Sequence, residues 1–100
     1  GGATVHPLSV EVVLEALPSV SAAAVVGIPD DVWGEAVVAL IVLDPAGEVD
    51  PKALMAQARE RLSASELPRR IEFTDSLPLT ANGKTDRDSV RALFLGLSHA

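Results

Sequence analysis

None of the 100 residues is cysteine, which excludes disulfides and any zinc or iron–sulfur site built on thiolates. Nothing here needs an oxidising compartment, and the cytoplasm is the expected location. Histidine is nearly as scarce. His6 and His99 stand alone, with neither a second histidine at i+4 nor a carboxylate at ligand spacing, so no metal is expected. Nor can a Ser-His-Asp or Cys-His set be assembled. Long apolar runs are missing too: the longest, Ala36 to Leu43, is eight residues, against the roughly 20 that span a bilayer. No secretory signal opens the chain, so a soluble protein with no membrane span is expected. Positive charge is absent from residues 1–51, which hold eight acids and no Lys or Arg, whereas 52–100 hold eight bases and six acids. The halves carry −8 and +2 of a net charge of −6. An acidic total argues against a nucleic-acid surface, which needs a basic stripe to displace phosphate counterions. Any anionic ligand belongs with the second half, although Arg59, Arg61, Arg69 and Arg70 each read singly as solvated surface charges.

With 48% apolar residues, the chain suits one compact domain burying about 60 to 70% of its unfolded surface. It is too short to build a nucleotide pocket, a metal site and a substrate cleft together. A start at Gly1-Gly2 without methionine reads as part of a longer polypeptide or as a tag remnant.

Apolar residues at Val10, Val13, Leu14 and Leu17 follow Pro7 at helical spacing, with Pro18 closing the pattern. Val20 to Ile28 and Glu35 to Leu43 read as strands covered on both faces. The turn Pro29-Asp30-Asp31-Val32-Trp33-Gly34 between them lets the two run antiparallel. Asp50 as N-cap and Pro51 at the first helical position open a second helix through about Leu62. Leu54, Met55, Ala58 and Leu62 form its buried face, Met55 as core filler. After Pro68, Ile71 and Phe73 alternate with Arg70, Glu72 and Thr74 as an edge strand. Thr85 with Asp88 three residues on is a capping-box pattern, ahead of a helix burying Val90, Leu93, Phe94 and Leu97. The expected fold is α+β, a three-stranded sheet packed with about three helices.

The most informative run is Leu77-Pro78-Leu79-Thr80-Ala81-Asn82-Gly83-Lys84-Thr85-Asp86-Arg87. Gly83-Lys84-Thr85 suggests a nucleotide P-loop, but that loop requires a glycine where Pro78 stands. Asn82-Gly83 favours a tight turn with positive φ that projects Lys84 outward. With Thr85 opening a helix, unpaired N–H groups and the ammonium together would suit an anion, unless Asp86 and Asp88 already satisfy that helix end.

Read with Gly1-Gly2 and Trp33-Gly34-Glu35, the run resembles the last core motif of the adenylate-forming ligases, the superfamily of acyl-CoA synthetases, peptide-synthetase adenylation domains and luciferases. The resemblance is to their small C-terminal domain and covers residues 1 to 91. It implies that Lys84 swings over the active site and contacts the carboxylate and the ATP α-phosphate while acyl-adenylate forms, with Gly83 and Thr85 supporting the loop. Gly1-Gly2 before Pro7-Leu8-Ser9-Val10-Glu11 resembles the family's Gly-Gly followed by Pro-x-Glu-Val-Glu, with Ser9 in place of the first glutamate. The resemblance makes Gly1 and Gly2 the lining of the thiol channel once the domain rotates. Ala24-Val25-Val26-Gly27-Ile28-Pro29-Asp30 and Trp33-Gly34-Glu35 match a mostly structural signature. Trp33, Gly34, Glu35 and Arg87 become candidates for contact with the larger domain, Trp33 also as a packing anchor, and Glu35 either as a salt bridge to that domain or as a local cap. Ser65-Glu66-Leu67-Pro68 departs from the family's aromatic-Lys-x-Pro. The missing lysine takes away a contact for a CoA phosphate at that point and also fits a carrier-tethered thiol; the choice between CoA and carrier stays open.

The resemblance further implies ATP with magnesium, and CoA or a phosphopantetheine carrier, as cofactors of a parent enzyme, none bound by this chain alone. It implies an N-terminal adenylation domain in cis as partner, and inactivity of the isolated chain. Pro78 followed after four residues by Gly83-Lys84 fits the pattern that protein acetyltransferases recognise, with a deacetylase to reverse the modification of Lys84. Two alternatives remain: a free-standing interaction module with this fold and no activity, and a nucleotide-binding domain, which Pro78 disfavours. The Ala- and Val-rich composition hints at a bacterial source.

Overall fold

The computed structural model describes residues 6–32, 34–45 and 50–98, the last two as backbone. Gly1, Gly2, Trp33 and His99 lie outside them, as does the side chain of Leu97. The elements follow as α1 (Pro7–Glu15), β1 (Val20–Asp30), β2 (Gly34–Leu43), α2 (Pro51–Arg59), β3 (Arg70–Phe73) and α3 (Arg87–Ser98). The sheet order is β1-β2-β3. β1 and β2 are antiparallel from Val20 opposite Leu43 to Asp30 opposite Gly34, while β3, reached through α2, runs parallel to β2. The fold is the expected α+β arrangement.

Strand parity divides the core in two. Ala23, Val25, Val37, Ala39 and Ile41 face α1 and α2, where Val10, Leu14, Leu17, Leu54, Ala58 and Leu62 complete one apolar cluster. Ala24, Val26, Ile28, Ala36, Val38 and Leu40 face the other way and pack on Val90 and Phe94 of α3, with Leu77 at the margin. Each large aliphatic or aromatic side chain fully buried here contributes about 1.5–3 kcal/mol. Burial on both faces explains why β1 and β2 read as continuous apolar runs.

Pro29 belongs to β1 and not to the following turn, as its sequence position suggested. The outward N–H groups of β1 fall on odd-numbered residues, since those of Ala23 and Val25 are bonded to side chains on the open side of the sheet. Pro29 lies in that set, opposite Glu35, so its missing donor costs the ladder nothing. The turn is begun by Asp30, whose Oδ1 accepts from the Val32 N–H at 2.8 Å, and the chain enters β2 at Gly34 with φ +81°.

Helix boundaries are shorter than periodicity suggests. α1 stops at Glu15, yet Leu17 stays buried because its N–H bonds to the Leu14 carbonyl at 3.1 Å. α2 opens on Asp50, which accepts from the Ala53 N–H at 2.7 Å, and one further turn carries Leu62 into the core. Met55 is only half-buried, beside Lys52 and Arg59, so it is rim and not core filler. Leu93 is 43% exposed, so among the described side chains Val90 and Phe94 form the buried face of α3. Arg59, Arg61 and Arg69 are exposed as expected, but Arg70 is half-buried. Its guanidinium lies 5.7 Å from the Phe94 ring centroid and donates to the Phe94 carbonyl at 3.4 Å.

Candidate functional site

Lys84 stands at the end of a short β-hairpin, not at the mouth of a helix. Thr80 N–H donates to the Lys84 carbonyl at 2.7 Å and Gly83 N–H to the Thr80 carbonyl at 2.9 Å. The Thr80 hydroxyl accepts from the Lys84 N–H at 3.3 Å. With φ +82° at Gly83 and no positive φ at Ala81 or Asn82, this is a three-residue connection ending in a glycine bulge, a form that matches strand twist. Below it, Leu79 and Thr85 form an antiparallel bridge, and the Asp86 N–H donates to the Pro78 carbonyl at 2.8 Å. Ala81 to Lys84 are exposed.

The capping box at Thr85 and Asp88 is not formed. Thr85 is spent on the hairpin, and Asp86 caps α3: its Oδ1 accepts from the Ser89 N–H at 3.1 Å and its Oδ2 from the Ser89 hydroxyl at 2.8 Å. The Ser89 hydroxyl, then its N–H, hold the Asp86 carboxyl below the usual aspartate range. Asp88 is engaged by Arg91 at 2.9 Å. Both acids in the first turn therefore have partners, while the Lys84 ammonium has no ion-pair partner among the described residues. Such a group, carried on a bonded stem, is placed to meet an anion outside the domain. The helix N-terminus is already taken up by Asp86 and adds little for that anion.

Arg87, three residues on, turns inward. Its Nη1 donates to Glu11 Oε1 at 2.6 Å and its Nη2 to Glu11 Oε2 at 2.9 Å, a two-pronged pair joining α3 to α1. The same Nη1 lies 3.3 Å from the Val25 carbonyl, and Glu11 Oε1 accepts from the Val25 N–H at 2.9 Å. The Glu11 carboxylate raises the pKa of Arg87 further, against the opposing effect of burial. Glu15 accepts from the Ala23 N–H at 3.4 Å, and Arg91 Nε donates to the Gly27 carbonyl at 3.2 Å. Side chains of two helices thus occupy the open edge of β1 as a neighbouring strand would. Sequence reading assigned Arg87 to a domain interface and missed Glu11 as its partner. The available signal was weak: one acid on the first helix and one base on the last, separated by most of the chain.

Gly34 and Glu35, the other interface candidates, are exposed at the end of the β1–β2 hairpin. The Glu35 side chain lies across Gly27, where a Cβ would overlap it. In the divergent segment, Glu66 turns back to accept from the Ser63 N–H at 2.9 Å and the Ser63 hydroxyl at 2.8 Å. Ser63, through its N–H first, holds the Glu66 carboxyl below the usual range. Among the described residues no three His, Cys, Asp or Glu cluster as metal ligands would, and no helix is long and apolar enough to cross a membrane.

Known proteins share this architecture. The chain is 42% identical over 101 residues to the medium/long-chain fatty-acid–CoA ligase FadD8 of Mycobacterium tuberculosis, covering 94% of this chain and 18% of the relative. It is 41% identical over 95 residues to the fatty acid–[acyl-carrier-protein] ligase ScoC of Streptomyces coeruleorubidus, covering 95% of this chain and 18% of the relative. The amide bond synthetase McbA of Marinactinospora thermotolerans superimposes with a TM-score of 0.83 at 46% identity, covering 90% of this chain and 18% of that one. The chain thus spans about a fifth of the length of these relatives. The family model described as the AMP-binding enzyme C-terminal domain matches residues 9–84, so the chain belongs to that family, the C-terminal domains of the adenylate-forming ligases.

Proposed function

We propose that this chain works as the mobile C-terminal domain of an ATP-dependent acyl-activating ligase, joined in cis to an N-terminal adenylation domain, and that Lys84 is its catalytic group. The carrying observation is the Lys84 hairpin: an exposed ammonium on a bonded stem, in a chain whose relatives include CoA and carrier-protein ligases. In the first half-reaction a carboxylate oxygen attacks the α-phosphorus of ATP, a P–O bond forms, and pyrophosphate leaves with the electrons of the broken bond. Negative charge gathers on the α-phosphate oxygens during attack. Lys84, delivered into a water-poor site, stabilises that charge more than it stabilises the ground state. Gly83 supplies the left-handed backbone that aims the lysine, and Thr85 ties the stem through its bridge to Leu79.

In the second half-reaction a thiol attacks the acyl carbon, its proton is lost, and AMP departs. Rotation of the domain withdraws Lys84 and brings another face to the site. Gly1 and Gly2 would then line the thiol channel, and Trp33, Gly34 and Glu35 would meet the larger domain. Magnesium would come with ATP in that domain, and the 100-residue chain would be inactive alone. Both CoA and a carrier thiol suit the acceptor; a carboxylate at Glu66 in place of a family lysine favours the carrier. Acetylation of Lys84 by a protein acetyltransferase, reversed by a deacetylase, would remove the charge and silence the first step. The cytoplasm is the compartment where ATP, CoA and carrier proteins meet.

The test is Lys84→Ala in the ligase that carries this chain, assayed by pyrophosphate exchange. Adenylation should fall by about 10²- to 10³-fold, while thioester formation from preformed acyl-adenylate persists. Undiminished exchange would overturn the assignment.

A further inference from the structure

We propose that Glu11 is a positioning residue for Lys84, acting through Arg87; the inference rests on the functional reading of Lys84 above. The Lys84 hairpin has little apolar hold on the domain, since Ala81 to Lys84 are exposed and Leu79 is 60% exposed. Its two stems leave the body at different anchors. The upstream stem follows Leu77, which packs at the margin of the α3 core. The downstream stem passes through Asp86, bonded to the Pro78 carbonyl, and enters α3 at Arg87. There the guanidinium is held by both oxygens of Glu11.

Glu11 is itself fixed. Its side chain is only 12% exposed, it sits on α1 between the buried residues Val10 and Leu14, and its Oε1 is bonded to the β1 backbone at Val25. The pair therefore bolts the downstream stem, three residues from Lys84, to the sheet and to the first helix together. A planar guanidinium gripped at two points fixes direction as well as distance. Removal of the carboxylate charge, or of the second nitrogen prong, frees the stem to tilt while the two cores stay packed. A lysine that acts on charge developing at one phosphate is sensitive to such a tilt, because a misplacement near 1 Å costs about 10²-fold.

The first measurement is amide exchange on the 100-residue chain. Glu11→Gln, and separately Arg87→Lys, should speed exchange at Thr80 and Gly83 about tenfold or more, with Val38 and Leu40 in the central strand unchanged. Exchange at Thr80 and Gly83 that stays as in the parent sequence, or that rises in equal measure at Val38 and Leu40, overturns the positioning role. The second is kinetic, in the full ligase. Either substitution should lower adenylation kcat by about 10- to 100-fold with KM for ATP little changed, and should add no further loss in a Lys84→Ala background. Thioester formation from preformed acyl-adenylate should persist, which also shows that the variant domain is folded. Equal losses with and without Lys84 overturn the positioning role alone. Undiminished adenylation in Lys84→Ala itself overturns the functional reading, and the positioning role with it.

Discussion

Asp86 and Ser89 close the first turn of α3 through two hydrogen bonds, one to each carboxylate oxygen, at 3.1 and 2.8 Å. Because these bonds depress the Asp86 pKa, the stability they give is present above the ordinary aspartate value and lost as pH falls through the lower folded value. The first turn of α3 should therefore fray only at pH below the ordinary aspartate pKa, seen as falling protection of the Ser89 and Val90 amides relative to intrinsic exchange. Asp86→Ala should show the frayed turn at neutral pH and no acid transition there. An acid transition that survives in Asp86→Ala would refute the assignment of the cap.

Gly83→Ala and Gly34→Ala should each cost about 1–2 kcal/mol, since both glycines hold φ near +80° and an L side chain resists that region. Gly27→Ala is a different case. The atoms nearest its Cβ would be the Cδ, Oε1 and Cγ of the exposed Glu35 side chain, which can swing away by rotation about its own Cα–Cβ bond, so the cost should stay below about 1 kcal/mol. Thermal unfolding of the three variants gives the ranking, and a Gly27→Ala loss equal to the other two would contradict it.

Two neighbouring apolar residues of α3 should behave unlike each other. Phe94→Ala opens a cavity between helix and sheet and removes the ring beneath Arg70, at about 3–5 kcal/mol. Leu93→Ala, at a position 43% exposed, should cost under about 1 kcal/mol. Urea unfolding distinguishes them, and similar midpoints would mean that α3 is rotated from the orientation described.

Replacing both Glu11 and Glu15 by alanine removes the acceptors on the Ala23 and Val25 N–H groups. An apolar strand edge with free donors invites pairing with another copy. Sedimentation should show concentration-dependent association of this double variant and not of the parent sequence. A variant that stays monomeric at high concentration would mean that the two acids do not guard the edge.

Much of the fold was legible in the sequence, because the signals that specify it are local. Valine-rich runs between turn residues marked β1 and β2, Asp50-Pro51 marked the start of α2, and Asn82-Gly83 marked a tight turn before Lys84. The misreadings have physical causes of a different kind. Pro29 looks like a strand breaker until the outward-facing edge is known, and an edge is a property of the assembled sheet. Thr85 and Asp86 compete for one cap, and the choice falls to Asp86 because the bridge to Leu79 claims Thr85. Leu93 fits the helical stripe on paper, yet among the described side chains of α3 the sheet takes Val90 and Phe94 and leaves Leu93 at the rim. The Glu11–Arg87 pair, whose members are 76 positions apart in sequence, has no local signature. The aromatic partner that half-buries Arg70 is equally non-local. Thus the lysine and its turn could be found in the sequence, but what anchors them could not.

The separation of the core into two clusters by the sheet has a consequence for how the domain yields. On one side α1 and α2 share a broad apolar face, whereas α3 meets the sheet through Val90 and Phe94 with Leu77 beside them. Because each layer has its own apolar face, α3 can open locally with the α1–α2 layer still folded. The α3 layer is also the one continuous with the lysine. Engagement of the hairpin by a neighbouring surface would restrain that opening, so order on the Lys84 side should follow occupancy while the opposite side keeps its own stability throughout.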